Sequence, residues 1–382
     1  MRPRMRAAEA GASPGTLARR LVKQLPRLGV QVVDLQPGTA VVSRRAARIE
    51  AFPLGRGLNV VVDSAITRRR RESPASFLSS LLDRLPMLGL TVTEAGFAAV
   101  VSAAGSRLKA QEVSPGVVVV TDPAVVRRHR HQQDKALSAY LLMQQILEVF
   151  ARYQVNVVID VGANKGQYAR SLRRAGYKGR IASIEPVGRE FEELSRRAAN
   201  DPLWSVHRFA LGREDGSLEL NVVPGTLSSA LPASEFGAER YEKLQHATVE
   251  TVPLRRLGDV MDEILADVED PRPYLKIDTQ GFDLEVFGGL GDRAHDIVAM
   301  QSEVAFMQIY EGMPRMPESL AVYEGAGFEV AGFYPVTRER ATARVLEFDC
   351  LMVRADSLVR DAAPDPVVPD ATAAPAVSGA AG

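Results

Sequence analysis

The chain has 382 residues, of which 46% are hydrophobic and 25% charged, with 47 Lys/Arg against 47 Asp/Glu. That is long enough for two domains, each with its own core, and the composition is that of a globular protein. A single cysteine, Cys350, excludes an intramolecular disulfide and a multi-cysteine zinc site, and fits a reducing cytosol.

The opening "MRPRMRAAEAGASPG" is basic but has no apolar stretch after it, so no secretory leader is expected. No apolar run reaches the ~20 residues of a membrane helix, and a cytoplasmic protein without a membrane span is expected. Neutral overall charge hides an asymmetry: residues 1–131 hold 21 Lys/Arg against 9 Asp/Glu. The arginines are dispersed except at Arg68–Arg71 and Arg127–Arg130. Electrostatic matching between two domains therefore accounts for the asymmetry better than a polyanion surface, and no nucleic-acid partner is expected.

The first third of the chain is duplicated. "LVKQLPRLGVQVVD" at 21–34 returns as "LLDRLPMLGLTVTE" at 81–94, and "AVVS" at 40–43 returns at 99–102, so the offset slips from 60 to 59. Units of about 50 residues, at 16–63 and 75–122, each read as a short amphipathic helix followed by Val-rich strands. One unit buries little core, which predicts a pseudo-twofold pair within a 1–130 α+β domain. No ionisable cluster recurs in both copies, so this half suits a scaffold, acceptor docking or a homodimer contact. Linkers are expected at 64–74 and 127–134.

From 135 to 153 the apolar spacing is helical, and then strand and helix alternate. The predicted strands are 156–160, 179–186, 204–211, 274–278 and 296–303, with helices at 166–176 and 189–200 between the first three. This rhythm predicts a doubly wound, mostly parallel α/β sheet over 131–356. The Ala/Pro-rich stretch 357–382 reads as a disordered tail. In such sheets ligands sit beyond the carboxyl ends of the strands. Asp160, Glu185, Asp278 and Glu303 all fall there.

After the first strand comes "VIDVGANKGQY". It fits neither the dinucleotide fingerprint nor a phosphate loop. Gly162 permits a tight bend, and Gly166 would let a ligand approach the next helix. Glu185, closing the second strand, is placed to accept hydrogen bonds from ribose hydroxyls. A nucleoside carrying a carboxylate instead of a pyrophosphate describes S-adenosylmethionine.

With "FALGREDGSLEL", "YLKIDTQGFDLEVFGG" and "MQSEVAFMQIYEGMP", this segment resembles the FkbM-type methyltransferases from about 137 to 354. The resemblance implies a class I methyltransferase sheet and S-adenosylmethionine as cofactor. It further implies cofactor binding by Asp160, Gly162, Asn164, Gly166, Glu185, Ala210 and Leu211, with the "DTQG" turn facing the transferred methyl. O-methylation of a hydroxyl on a sugar, polysaccharide or natural-product acceptor is the implied reaction. Thr226–Ser229 keeps two serines, Ser228 and Ser229, where the family carries a serine-rich run.

A neutral hydroxyl needs a base. Asp278 and Glu303, each following an apolar strand, are the candidates; the competing roles are a turn cap for Asp278 and an arginine ion pair for Glu303. Gln280, Ser228, Ser229 and Tyr310 are candidate acceptor contacts. No third ligand accompanies the two acids, so no metal is expected. His207, Trp204 and Cys350 read as core or half-buried residues, and Tyr241 and His246 as a solvated helical face. Two rival readings are an NAD(P)-linked oxidoreductase, which lacks its glycine fingerprint, and a non-catalytic polymer-binding adaptor.

Overall fold

The computed structural model describes residues 30–36, 39–44, 49–55, 58–63, 90–95, 98–103, 107–114, 117–339 and 341–359. The chain forms two compact units, Met1–Leu137 with Ala371–Gly382, and Ser138–Asp370. The two repeat helices, the 64–74 linker and the tail beyond 359 lie outside the described residues.

In the first unit each repeat contributes two antiparallel hairpins. The first repeat supplies β1 (Val30–Gln36), β2 (Thr39–Arg44), β3 (Ile49–Gly55) and β4 (Leu58–Asp63). The second supplies β5 (Leu90–Ala95), β6 (Ala98–Ala103), β7 (Lys109–Ser114) and β8 (Val117–Thr121). They assemble into two four-stranded sheets, β1-β2-β6-β5 and β3-β4-β8-β7, so every sheet is half one repeat and half the other. At the centre of the first sheet Val41 faces Val100, and at the centre of the second Val60 faces Val119. Both pairs are 59 apart, the repeat offset, so each sheet has a local twofold between equivalent valines. A hairpin alone is marginal in water; pairing the copies buries Val41, Ile49, Val61, Val100, Val118 and Val120 together.

Helix α1 (Pro123–Arg152) starts twelve residues before the predicted one, and the expected linker at 127–134 is helical. Proline at the first helical position presets its own φ, and no glycine or proline follows before Arg152 to end the helix. Beyond it lie β9 (Val157–Val161), α2 (Gln167–Arg174), β10 (Arg180–Ile184), α3 (Gly188–Ala198) and β11 (Trp204–His207). The predicted third strand is in fact two. It breaks at Arg208–Phe209, and β12 (Ala210–Gly212) joins β14 (Thr248–Arg256) and β13 (Gly216–Val222) in a separate three-stranded sheet. Arg208 pairs with Glu250 of that sheet at 3.2 Å, and Phe209 turns into the core.

The remaining elements are α4 (Glu235–Arg240), α5 (Leu257–Leu265), β15 (Pro273–Ile277), α6 (Asp283–Gly288), β16 (Ala299–Ala305), α7 (Met316–Gly325), β17 (Glu329–Arg338) and β18 (Val345–Val353). The main sheet has seven strands in the order β11-β10-β9-β15-β16-β18-β17. The first five run parallel, and β18 is antiparallel to both β16 and β17. This is the doubly wound, mostly parallel α/β sheet that the alternation predicts. β9 and β15 are buried along their whole length because helices cover both faces. α1, α2 and α3 pack Ile146, Leu172 and Leu194 on one face, and α5, α6 and α7 pack Met261, Phe287 and Tyr323 on the other. Among the described residues no helix is long and apolar enough to cross a membrane.

Candidate active site

A cleft of about 740 Å³, counted to its open mouth, lies over the carboxyl ends of β9, β10 and β15. The strand order reverses beside β9, which leaves this crevice between the loops that follow β9 and β15.

The turn after β9 is shaped by its neighbours. Gly162 has φ +76°, and a Cβ there would stand 2.0 Å from the carbonyl oxygen of Asp278. Its N–H and that of Ala163 both donate to the carbonyl of Ile184, at 3.0 Å each. Asn164 also takes a left-handed conformation and donates its backbone N–H to Glu185 Oε2 at 2.7 Å, while its side chain donates to the Gly225 carbonyl at 2.9 Å. Glu185 Oε1 accepts the Val187 N–H at 2.9 Å. Burial pushes the Glu185 carboxyl up to about 7, and these two backbone donors only partly oppose it. Gly162, Asn164, Glu185, Ala210 and Leu211 all line the cleft, as do Ser228, Ser229, Asp278 and Gln280.

Two expected cofactor residues are not in the lining. The space opposite Gly166 is filled by Trp204 and Leu194, 2.8–2.9 Å from where its Cβ would be, so this glycine permits helix packing rather than ligand approach. Asp160 is fully buried beneath the cleft, where Ser183 Oγ donates to it at 3.2 Å and Lys276 Nζ stands 3.5 Å away. Its strand position points it across the sheet, toward β10 and β15, instead of upward. Ser183, Asp160, Lys276 and Gln301 sit in register on four adjacent parallel strands, forming a polar row through an otherwise apolar layer. All four are at least nine-tenths buried. Burial alone would lower the Lys276 ammonium, but Asp278, Asp160 and Asp349 raise it above its ordinary range. Burial lifts the Asp160 carboxyl despite the lysine.

Lys276 also reaches the candidate base. Its Nζ donates to Asp278 Oδ2 at 3.3 Å, and Gln280 Nε2 donates to Asp278 Oδ1 at 3.0 Å and to Glu303 Oε2 at 2.9 Å. One amide therefore joins the two acids. The single proton of Tyr310 OH is shared between the Leu227 carbonyl at 2.9 Å and Gln280 Oε1 at 3.2 Å. Ser229 Oγ donates to the Gln280 carbonyl at 2.7 Å, and Ser228 Oγ bonds the backbone of Val223. Asp278, Gln280, Glu303, Ser229 and Tyr310, scattered between 229 and 310 in sequence, are thus joined by hydrogen bonds around the ends of β15 and β16.

The competing roles fare differently. The turn cap after β15 is Asp283, which accepts from Thr279 N and Oγ1, and Asp278 is left half-exposed at 40%. Glu303 is bonded by Gln280, not by an arginine. Burial first, then Glu347, Asp278 and Asp349, push its carboxyl well above the usual range. Glu303 and Tyr310 are outside the cleft lining. Among the described residues no group of acids, histidines or cysteines is arranged to hold a metal.

Sequence reasoning missed Lys276, Gln301 and Glu190. The first two leave a trace, as polar residues inside the apolar strands "YLKID" and "AMQSEVA". Glu190, in "GREFEEL", reads like any exposed helix acid, yet it is 5% exposed, lines the cleft, and its Oε2 has no hydrogen-bond partner. Apolar walls, the Glu185 carboxylate with lone pairs beyond its two backbone donors and an unpartnered buried carboxylate fit a nucleoside.

Comparison with known proteins bears on the chemistry. Residues 160–330 match the family model of the methyltransferase FkbM domain. Methyltransferase sdnD of Sordaria araneosa is 25% identical over 218 residues, covering 52% of this chain and 80% of that protein. Methyltransferase 1 of Beauveria bassiana is 25% identical over 188 residues, 46% of this chain and 72% of its own. Among solved structures, magnesium protoporphyrin IX methyltransferase from Synechocystis PCC 6803 with bound SAM aligns over 59% of this chain and 83% of its own, at 11% identity and a TM-score of 0.31.

Proposed function

We propose that this chain, which carries a methyltransferase FkbM domain at residues 160–330, is an S-adenosylmethionine-dependent O-methyltransferase acting on a hydroxyl of a small-molecule or glycan acceptor. The observation that supports the reading best is the joined set at the strand ends: Asp278, half-exposed, beside the cleft that holds Glu185. When bound, the cofactor supplies a methyl on a sulfonium, with a neutral thioether as leaving group. Glu185 would hold the ribose through lone pairs that the two backbone donors leave open. Gly162 and Asn164 would bring the backbone of the turn to the ligand.

The chain's remaining task is to align the hydroxyl and take its proton. Asp278 Oδ2 is the acceptor in this reading, with Lys276 and Gln280 fixing the carboxylate and Gln280 linking it to Glu303. Ser229 and Tyr310 hold Gln280 in place from its backbone and side-chain carbonyls. The duplicated unit would dock the acceptor or pair two copies of the chain; the border read from the sequence, at 130/131, falls within α1, as does the border between the two compact units.

Isothermal titration with S-adenosylmethionine and with NAD(P)H separates this reading from an oxidoreductase or an adaptor. Tight binding of the first alone, followed by labelled-methyl transfer to hydroxyl-bearing compounds of a cell extract, is the expected result. Label appearing on nitrogen or carbon, and never on oxygen, would retire the O-methylation assignment.

A further inference from the structure

Three carboxylates line the cleft, Glu185, Glu190 and Asp278, and they differ in what they accept. Glu185 takes the backbone N–H groups of Asn164 and Val187. Asp278 takes Lys276 and Gln280. Glu190 is 5% exposed, and its Oε2 is buried with no donor. An acid held that way is destabilising, since burial removes water and nothing replaces it. At the third position of α3 a leucine or glutamine would be buried at lower cost. A carboxylate left so in a ligand cleft is accounted for when the ligand brings the donor.

Its surroundings indicate the class of donor. Glu190 lies one helical turn beyond Val187. Val187 belongs to an apolar cluster with Ala210 and Leu220, against which Leu218 packs, and all four line the cleft. Such walls accommodate a flat heterocycle, whereas hydroxyls are met at the polar end by Glu185. A heterocycle buried there still needs its polar edge satisfied. We infer that Glu190 reads the base of the bound nucleoside, accepting a hydrogen bond from an exocyclic amine, and so selects an amino-purine over an oxo-purine. This rests on the nucleoside-cofactor reading above. The terminal torsion of a glutamate is soft, so either oxygen can turn to the ligand. An oxo base would instead set a carbonyl against the carboxylate, losing the bond and adding repulsion.

The test is isothermal titration of the full chain and of E190Q with S-adenosylhomocysteine and with S-inosylhomocysteine. The natural chain should prefer the amino form by roughly 10–100-fold, the range for a hydrogen bond to a charged group. E190Q, whose amide both donates and accepts, should bring that preference to within about threefold. A preference unchanged by E190Q overturns the inference. So does an equal loss for both ligands, which assigns Glu190 to the ribose or to the fold. Should E190Q fail to fold, E190D, with the carboxylate withdrawn by one methylene, must narrow the preference in the same way. If the natural chain binds both ligands equally, only the base assignment falls. If it binds neither, the cofactor reading falls and takes this inference with it.

Discussion

Replacing Lys276 with methionine keeps the length of the side chain and removes its charge. Two acids lose their cation, but unequally. Asp278 is 40% exposed and keeps Gln280, so water and the amide can compensate. Asp160 has no exposure and keeps one hydrogen bond, from Ser183 Oγ at 3.2 Å. Removing one partner of a buried ion pair costs about 3–5 kcal/mol, because the other charge stays desolvated. Lys276→Met should therefore lose about that much stability in urea at pH 8. The loss has a pH signature. Burial already raises the Asp160 carboxyl in the folded chain, and Lys276 is the main group opposing it. Without the lysine the folded value climbs further, and a raised folded value contributes stability that is present at low pH and lost as pH rises. The gap between variant and natural chain should be widest at pH 8 and narrow toward pH 5. Adding Asp160→Asn to Lys276→Met removes the stranded charge and should recover most of the loss, a coupling that only a double-mutant cycle isolates. A single-variant loss below about 1 kcal/mol at pH 8, or a double variant no more stable than the single one, would refute the reasoning.

Five other outcomes follow from the same geometry. Glu185→Ala should weaken S-adenosylmethionine binding by about 1.5–3 kcal/mol, read by titration calorimetry, and the natural affinity should rise with pH through about 7 as the carboxyl ionises; a flat affinity between pH 6 and 8 counts against the ribose assignment. Because the folded value of Glu185 is raised from 4.5 to about 7, the stability it contributes is complete below about 4.5 and is lost by about 7, up to about 3 kcal/mol, so the pH slope of urea unfolding should flatten in Glu185→Gln. Gly162→Ala puts a methyl 2.0 Å from the Asp278 carbonyl at φ +76°, and should cost at least about 3 kcal/mol in urea unfolding together with cofactor binding. Asp278→Asn should lower turnover roughly 10²–10⁴-fold with cofactor affinity nearly unchanged, whereas Glu303→Gln does less; the reverse order moves the base to β16. A fragment starting at Pro123 should keep its cofactor affinity within about threefold.

The fold was legible wherever one local signal decided it. The apolar runs of β9, β10, β15 and β16 and the spacing of the intervening helices specify a parallel sheet without knowledge of any contact. The self-similarity of the first third specifies a pairing of copies, and the register of Val41 with Val100 follows from the same 59-residue offset. What the sequence did not mark was where a run changes partner. "WSVHRFAL" alternates like one strand, and only the pairing of β12 with β14 divides it. The residues 127–134 look like a linker because they are polar, but polarity does not stop a helix that has no breaker.

The site was legible at its edges and not beneath them. Glu185 and Asp278 are at strand ends, and strand ends are visible in a sequence. Gly162 and Gly166 look alike in "VGANKGQ", yet one faces the Asp278 carbonyl and the other Trp204 and Leu194, a difference made by elements far along the chain. Asp160 shows the limit best. As an acid ahead of a glycine turn it matches every expectation of a ligand contact, but strand alternation turns it into the sheet, where its partner is the lysine of "YLKID". That lysine then sets Asp278. In the proposed reaction, the acid that the motif suggests for the cofactor would act on the opposite side, through Lys276, by fixing the carboxylate proposed to take the proton. Motif spacing reports which residues share a site; which of them touches the ligand is decided by the register of strands that the motif does not contain.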